Sequence, residues 1–193
     1  MTKIPDKQWL LDRVGAGRNA WRNSERPAQI DPVAPGEESV WDYPRPPELR
    51  GAMGPVRVEH AGHVIAKSDR ALRVVETAGA PVYFVPPEDV VDGVLRETDY
   101  VTVCEWKGAA VHHDLVLPDA RVEHAAFSYP EPLDDLDPNM ARIAGWIAFY
   151  PARVDACFVG KEQVTPQPGG YYAGWVTSAI KGPIKGEPGT QSW

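Results

Sequence analysis

At 193 residues the chain is long enough for one domain that buries roughly 70% of its unfolded surface and needs no disulfide or metal to hold it. Lys and Arg total 20 and Asp and Glu 27, a net charge of -7, which excludes a general affinity for nucleic-acid phosphates. No apolar run approaches the ~18 residues of a membrane span, and the amino-terminal residues lack the apolar core of a secretory signal.

The two cysteines, Cys104 and Cys157, read as reduced thiols of a cytoplasmic protein. Pro (20) and Gly (17) together make about a fifth of the chain, against an average nearer ~12%. The seven Trp argue against disorder. Frequent punctuation between short apolar runs predicts an all-β domain with ordered loops.

In chain order, residues 1–37 form an amino-terminal arm. Asp6 caps a short helix there, and Gly15 ends it. The polar, Pro-rich stretch that follows is expected to be extended, with Trp9 and Trp21 packing on the body. The β domain spans 38–160. Pro44, Pro46 and Pro47 hold its entry extended. From Val56 the period becomes two, and Val56–His60 returns through Ala61-Gly62 into His63–Ser68 as a hairpin.

Further strands are expected over Ala71–Thr77, Val82–Val85, Tyr100–Cys104, Ala110–Leu117, Arg121–Tyr129 and Gly145–Tyr150. One helical turn follows Pro86-Pro87. Glu105-Trp106-Lys107-Gly108 reads as a turn with Gly108 at positive φ. The acidic stretch Asp134–Pro138 reads as a solvated loop. Residues 161–193 form an ordered tail that wraps the body through its aromatic side chains.

Several segments together resemble one family. They are Glu38–Pro47, Arg70–Thr77, Pro81–Val90, Cys104–Gly108, Phe127–Pro130 and Ile147–Tyr150. The chain is identified as a member of the domain of unknown function 427 family, a bacterial and fungal group, over roughly Val40–Val159. The resemblance implies a compact two-sheet architecture of the β-tent kind, here with extended amino- and carboxy-terminal arms. The label nucleotidyltransferase is also attached to the family. Metal-dependent nucleotidyl transfer requires a phosphate-cradling Gly-Ser loop and paired metal-binding Asp residues, and the sequence has neither. The Cys-x-x-Cys pairs that hold zinc in many β-tent proteins are absent as well, so no metal or cofactor is expected.

The candidate chemistry gathers at Cys104–Gly108. Lys107 beside Trp106 is a candidate base, imine former or anion anchor, or else a solvated turn residue. Glu76 ends an apolar strand; it pairs with Arg73 or Arg70, or it faces a cleft as a proton acceptor. Lys107 and Glu76 are thus the catalytic candidates. Tyr83, Trp106, Tyr129 and Cys104 are the ligand-binding ones. His112 and His113 are adjacent on one strand, so they point to opposite faces and cannot share an ion.

These readings predict a small-molecule-binding protein or an enzyme using a Lys/Glu/aromatic pocket, whose reaction the sequence does not name. The alternatives are a non-catalytic aromatic-cage ligand module or a protein-interaction domain. The expected partners are a small molecule and, through the aromatic arms, a second copy of the chain, with no role for nucleic acid or membrane.

Overall fold

The computed structural model describes residues 2–22, 26–190 and 192–193. Among these the chain forms one α-helix, fifteen strands and three short 3-10 turns, an all-β protein as its composition predicts.

Helix α1 (Lys7–Arg22) begins where the sequence places it. The Asp6 carboxylate accepts from the amides of Gln8 at 2.9 Å and Trp9 at 3.2 Å. The expected stop at Gly15 does not occur, and the helix continues to Arg22. Packing overrides the two glycines. Leu10 and Val14 bury against Ala109 and Leu133, and burial of the Leu10 side chain contributes roughly 1.5–3 kcal/mol. A Cβ on Gly17 would stand 3.4 Å from the Glu105 Cβ, so the helix runs close over that turn.

Arg18 then fastens the helix. Its Nε donates to the Glu105 carbonyl at 2.7 Å, and its two Nη donate to the Asp135 carboxylate at 2.6 and 3.0 Å. Lys7 pairs with Asp134. The acidic loop therefore docks the helix and is not merely solvated. Trp9, expected to hold the arm, is 46% exposed; Leu10 and Val14 do this instead.

Strand β1 (Glu38–Ser39) leads into a 3-10 turn at Val40–Asp42, where an extended segment was expected; the Ser39 hydroxyl accepts from the Trp41 amide. Strand β2 (Glu48–Gly51) follows. Then β3 (Val56–His60) and β4 (His63–Ser68) form the predicted hairpin, its two turn residues at φ 48° (Ala61) and 75° (Gly62). Strands β5 (Leu72–Glu76), β6 (Gly79–Phe84), β7 (Leu95–Cys104), β8 (Gly108–Val116) and β9 (Arg121–Ser128) continue as antiparallel neighbours in two sheets. The short strands are β10 (Ile147–Phe149), β11 (Ala156–Val159), β12 (Glu162–Gln163), β13 (Thr165–Pro166), β14 (Trp175–Val176) and β15 (Ile180–Lys181).

The larger sheets have the orders β2-β5-β6, β10-β9-β8-β7 and β12-β11-β3-β4. One core packs Val58, Ile65 and Cys157 against Val85, Leu115 and Phe149. A second packs Leu72, Val74 and Phe84 against Ala110, Phe127 and Ala148. Strand β6 is buried on both faces, because Tyr83 enters the first core and Phe84 the second.

The carboxy-terminal tail packs on the body. Trp175 is fully buried and its indole N–H donates to the Phe149 carbonyl at 3.1 Å. Strands β1 and β15 pair in parallel, joining the start of the β domain to the tail. Trp193 meets Trp41 edge-on at 5.2 Å. Neither cysteine is in a disulfide. Among the described residues no helix is long and apolar enough to cross a membrane.

Candidate functional site

The facing sheets β2-β5-β6 and β10-β9-β8-β7 leave a cleft of about 310 Å³ at one end. Its floor is apolar, made by Val74, Val82, Ala110 and Phe127. Its walls come from far apart in the chain: the end of α1, the Pro-rich entry, the β7–β8 turn and the tail.

The turn determines which side chains reach the cleft. Gly108 closes it at φ 90°, and a Cβ there would approach the Leu133 side chain to 3.1 Å. Trp106 and Lys107 then go to opposite sides. Trp106 is buried on the helix side, with the Arg18 guanidinium 5.8 Å from its ring centre. Lys107 is 9% exposed and lines the cleft. Among the described residues no carboxylate oxygen lies within 4.0 Å of its ammonium.

Glu76 ends β5 beside a register shift and also lines the cleft. Its partner is neither Arg73 nor Arg70 but Arg45, with Nε 3.3 Å from Oε1. Arg45 is held by the main chain as well, donating to the carbonyls of Trp21 at 3.0 Å and Thr77 at 2.8 Å. Arg73 pairs with Glu38, and Arg70 with Glu88 and Asp89. A third cation, Lys185, sits 3.6 Å over the Trp21 ring and donates to the main-chain oxygen of Trp193. Burial pulls its pKa below the ordinary lysine value.

Burial pushes the Cys104 thiol up, so it remains protonated at neutral pH. Burial also raises the Tyr129 phenol well above its usual range. Around Lys107 burial opposes the charge, but the hydrogen bond with the Cys104 side chain and the negative charges of Glu76 and Glu105 act the other way, and the ammonium is retained with a raised pKa.

Of the sequence-derived candidates, Glu76, Cys104, Lys107 and Tyr129 meet in this cleft. Tyr83 and Trp106 do not. Tyr83 belongs to the opposite face of β6, stacked on Trp175 at 5.0 Å. Trp106 is turned under α1. The sequence reading missed Trp21, Arg45, Tyr150 and Lys185, which line the same cleft.

His112 and His113 point to opposite faces of the sheet as strand alternation requires, and the His112 ring meets that of His124 edge-on at 5.7 Å. His112 Nε2 shares a hydrogen bond with the Thr102 hydroxyl at 3.0 Å, and His113 Nε2 one with the Ser128 hydroxyl at 2.9 Å. Burial lowers the His112 pKa to about 4, which keeps it neutral. Among the described residues no three metal-ligating side chains gather.

Residues 48–160 match the family model described as Domain of unknown function (DUF427), and the chain belongs to that family. No curated protein matches the sequence.

Proposed function

We propose that the protein binds a small molecule in the cleft between its two facing sheets. One observation carries this reading: an apolar floor is ringed by convergent polar groups, among them Glu76, Cys104, Lys107 and Tyr129, the arrangement expected of a ligand site. The facing sheets support a β-tent-like description of the domain, and the two free thiols support a reducing, cytoplasmic setting.

The geometry favours binding over turnover. Cys104 and Tyr129 hold their protons, Lys107 keeps its charge, and Glu76 is tied to Arg45. Glu76 could act as a proton acceptor only if substrate displaced Arg45 from it.

The test is a thermal-shift and native mass-spectrometry screen against a metabolite pool, run on the wild type and on Val82→Phe. Phe at this position fills the floor. At least one metabolite should raise the wild-type Tm and leave Val82→Phe unmoved. A pool with no effect on either protein would reject the reading.

A further inference from the structure

We propose that the cleft takes a small organic monoanion, a carboxylate on a flat apolar body, with the carboxylate seated on Lys107. This deepens the ligand-site reading and rests on it.

The first argument is the missing partner. Three other buried cations each hold a carboxylate: Arg18 with Asp135 at 2.6 Å, Arg73 with Glu38 at 2.6 Å, and Arg45 with Glu76 at 3.3 Å. Lys107 is nine-tenths buried, yet it has no carboxylate within 4.0 Å among the described residues. Glu76 and Glu105 act on it only from beyond that distance and its side-chain hydrogen-bond partner is Cys104, so no carboxylate is seated on the ammonium. An anion arriving from solution takes that contact position, so the site favours anions over neutral molecules of the same shape.

The second argument is charge balance. Arg45, Lys107 and Lys185 line the cleft against Glu76 and Glu105, an excess of one positive charge. A monoanion neutralises it. A dianion overshoots and meets two carboxylates. The third argument concerns the ligand body. Phe127, Tyr129 and Tyr150 present rings beside Val74, Val82 and Ala110, and the volume is at the small end of ligand sites.

A fourth observation turns away a cationic ligand. The ring of Trp21 is already covered by the Lys185 ammonium at 3.6 Å, so that face is closed to a quaternary amine, and a cation on the remaining rings would share the cleft with Arg45, Lys107 and Lys185.

The experiment compares matched probes by calorimetry on the whole chain: benzoate and 3-phenylpropionate, their primary amides, benzyltrimethylammonium, and inorganic phosphate. Alanine methyl NMR at Ala110 and Ala173 reports where each probe sits. The acids should bind at least about tenfold tighter than their amides, as a hydrogen-bonded charge implies. Lys107→Met should erase that preference and Lys107→Arg should keep it. The acid–amide comparison on the wild type needs no variant to fold.

Amides that bind as tightly as the acids, or a tighter ammonium probe, would overturn the anion class and leave the ligand-site reading standing. Inorganic phosphate binding as tightly as the acids would overturn the organic body. If no probe of any charge moves the Ala110 or Ala173 signals, and the metabolite pool is also silent, both readings fall.

Discussion

Two buried cations, Arg73 and Lys107, lie on opposite sides of the β2-β5-β6 sheet and are treated in opposite ways. Arg73 points away from the cleft-facing Val74, as strand alternation requires. It donates to both oxygens of Glu38, at 2.6 and 2.8 Å, and to the Gly51 carbonyl at 3.0 Å. The Tyr43 hydroxyl donates to the same carboxylate at 2.6 Å. Every strong group in that cluster is satisfied from within the chain. Lys107 also has a tyrosine, Tyr129, and acids in its surroundings, but no carboxylate at ion-pair distance. A closed network stabilises a fold. An open one leaves interaction energy for something else, and that contrast separates the structural cluster from the candidate site.

The contrast is sharpest in stability. Glu38→Ala should cost about 3 kcal/mol in chemical denaturation, because it strands Arg73 without its partner. An effect under about 1 kcal/mol would break the comparison. The same carboxylate sets the acid limb. Arg73 holds the Glu38 pKa below its ordinary value of 4.5. Its contribution is therefore present above about pH 4.5 and lost as pH falls below it, and Glu38→Gln should flatten that limb.

Tyr43→Phe removes one hydrogen bond to a charged acceptor and should cost about 1.5 kcal/mol by the same measurement. Lys107→Met should leave stability within about 1 kcal/mol of the wild type, since no internal ion pair is lost. A larger loss with probe binding retained would make Lys107 a structural residue. The smallest effect is expected at alkaline pH. Burial raises the Cys104 thiol above its ordinary 9.0. Its contribution is complete below that pH and fades above it, so Cys104→Ala should slightly reduce the loss of Tm between about pH 9 and 10.

Much of the fold was legible because it rests on local rules. Alternation and Ala61-Gly62 marked the β3–β4 hairpin, and Gly108 marked the turn before β8. Helix α1 was cut short because Gly15 and Gly17 are poor helix residues, and nothing local announces that Glu105 and Asp135 will hold their segment. The site was half legible. Lys107, Cys104, Glu76 and Tyr129 lie at strand ends or beside turns, where side chains converge. Arg45, Trp21 and Lys185 reach the cleft only through tertiary folding, and no spacing links them. Tyr83 was misplaced because strand β6 is buried on both faces, so its aromatic character did not say which face it served. Trp106 and Lys107 were grouped as neighbours, although the argument from adjacency that separated His112 from His113 suggested that they too would diverge.

The cleft is assembled from two kinds of parts. Its floor and its anchor, from Val74 to Tyr150, fall inside the residues 48–160 that match the family. Its rim does not: Trp21, Arg45, Tyr171, Tyr172 and Lys185 all come from segments outside that match. Sequence change in those outer segments can therefore reshape the mouth of the site without touching the sheets. Two chains with the same body and different outer segments would then present different mouths over one floor.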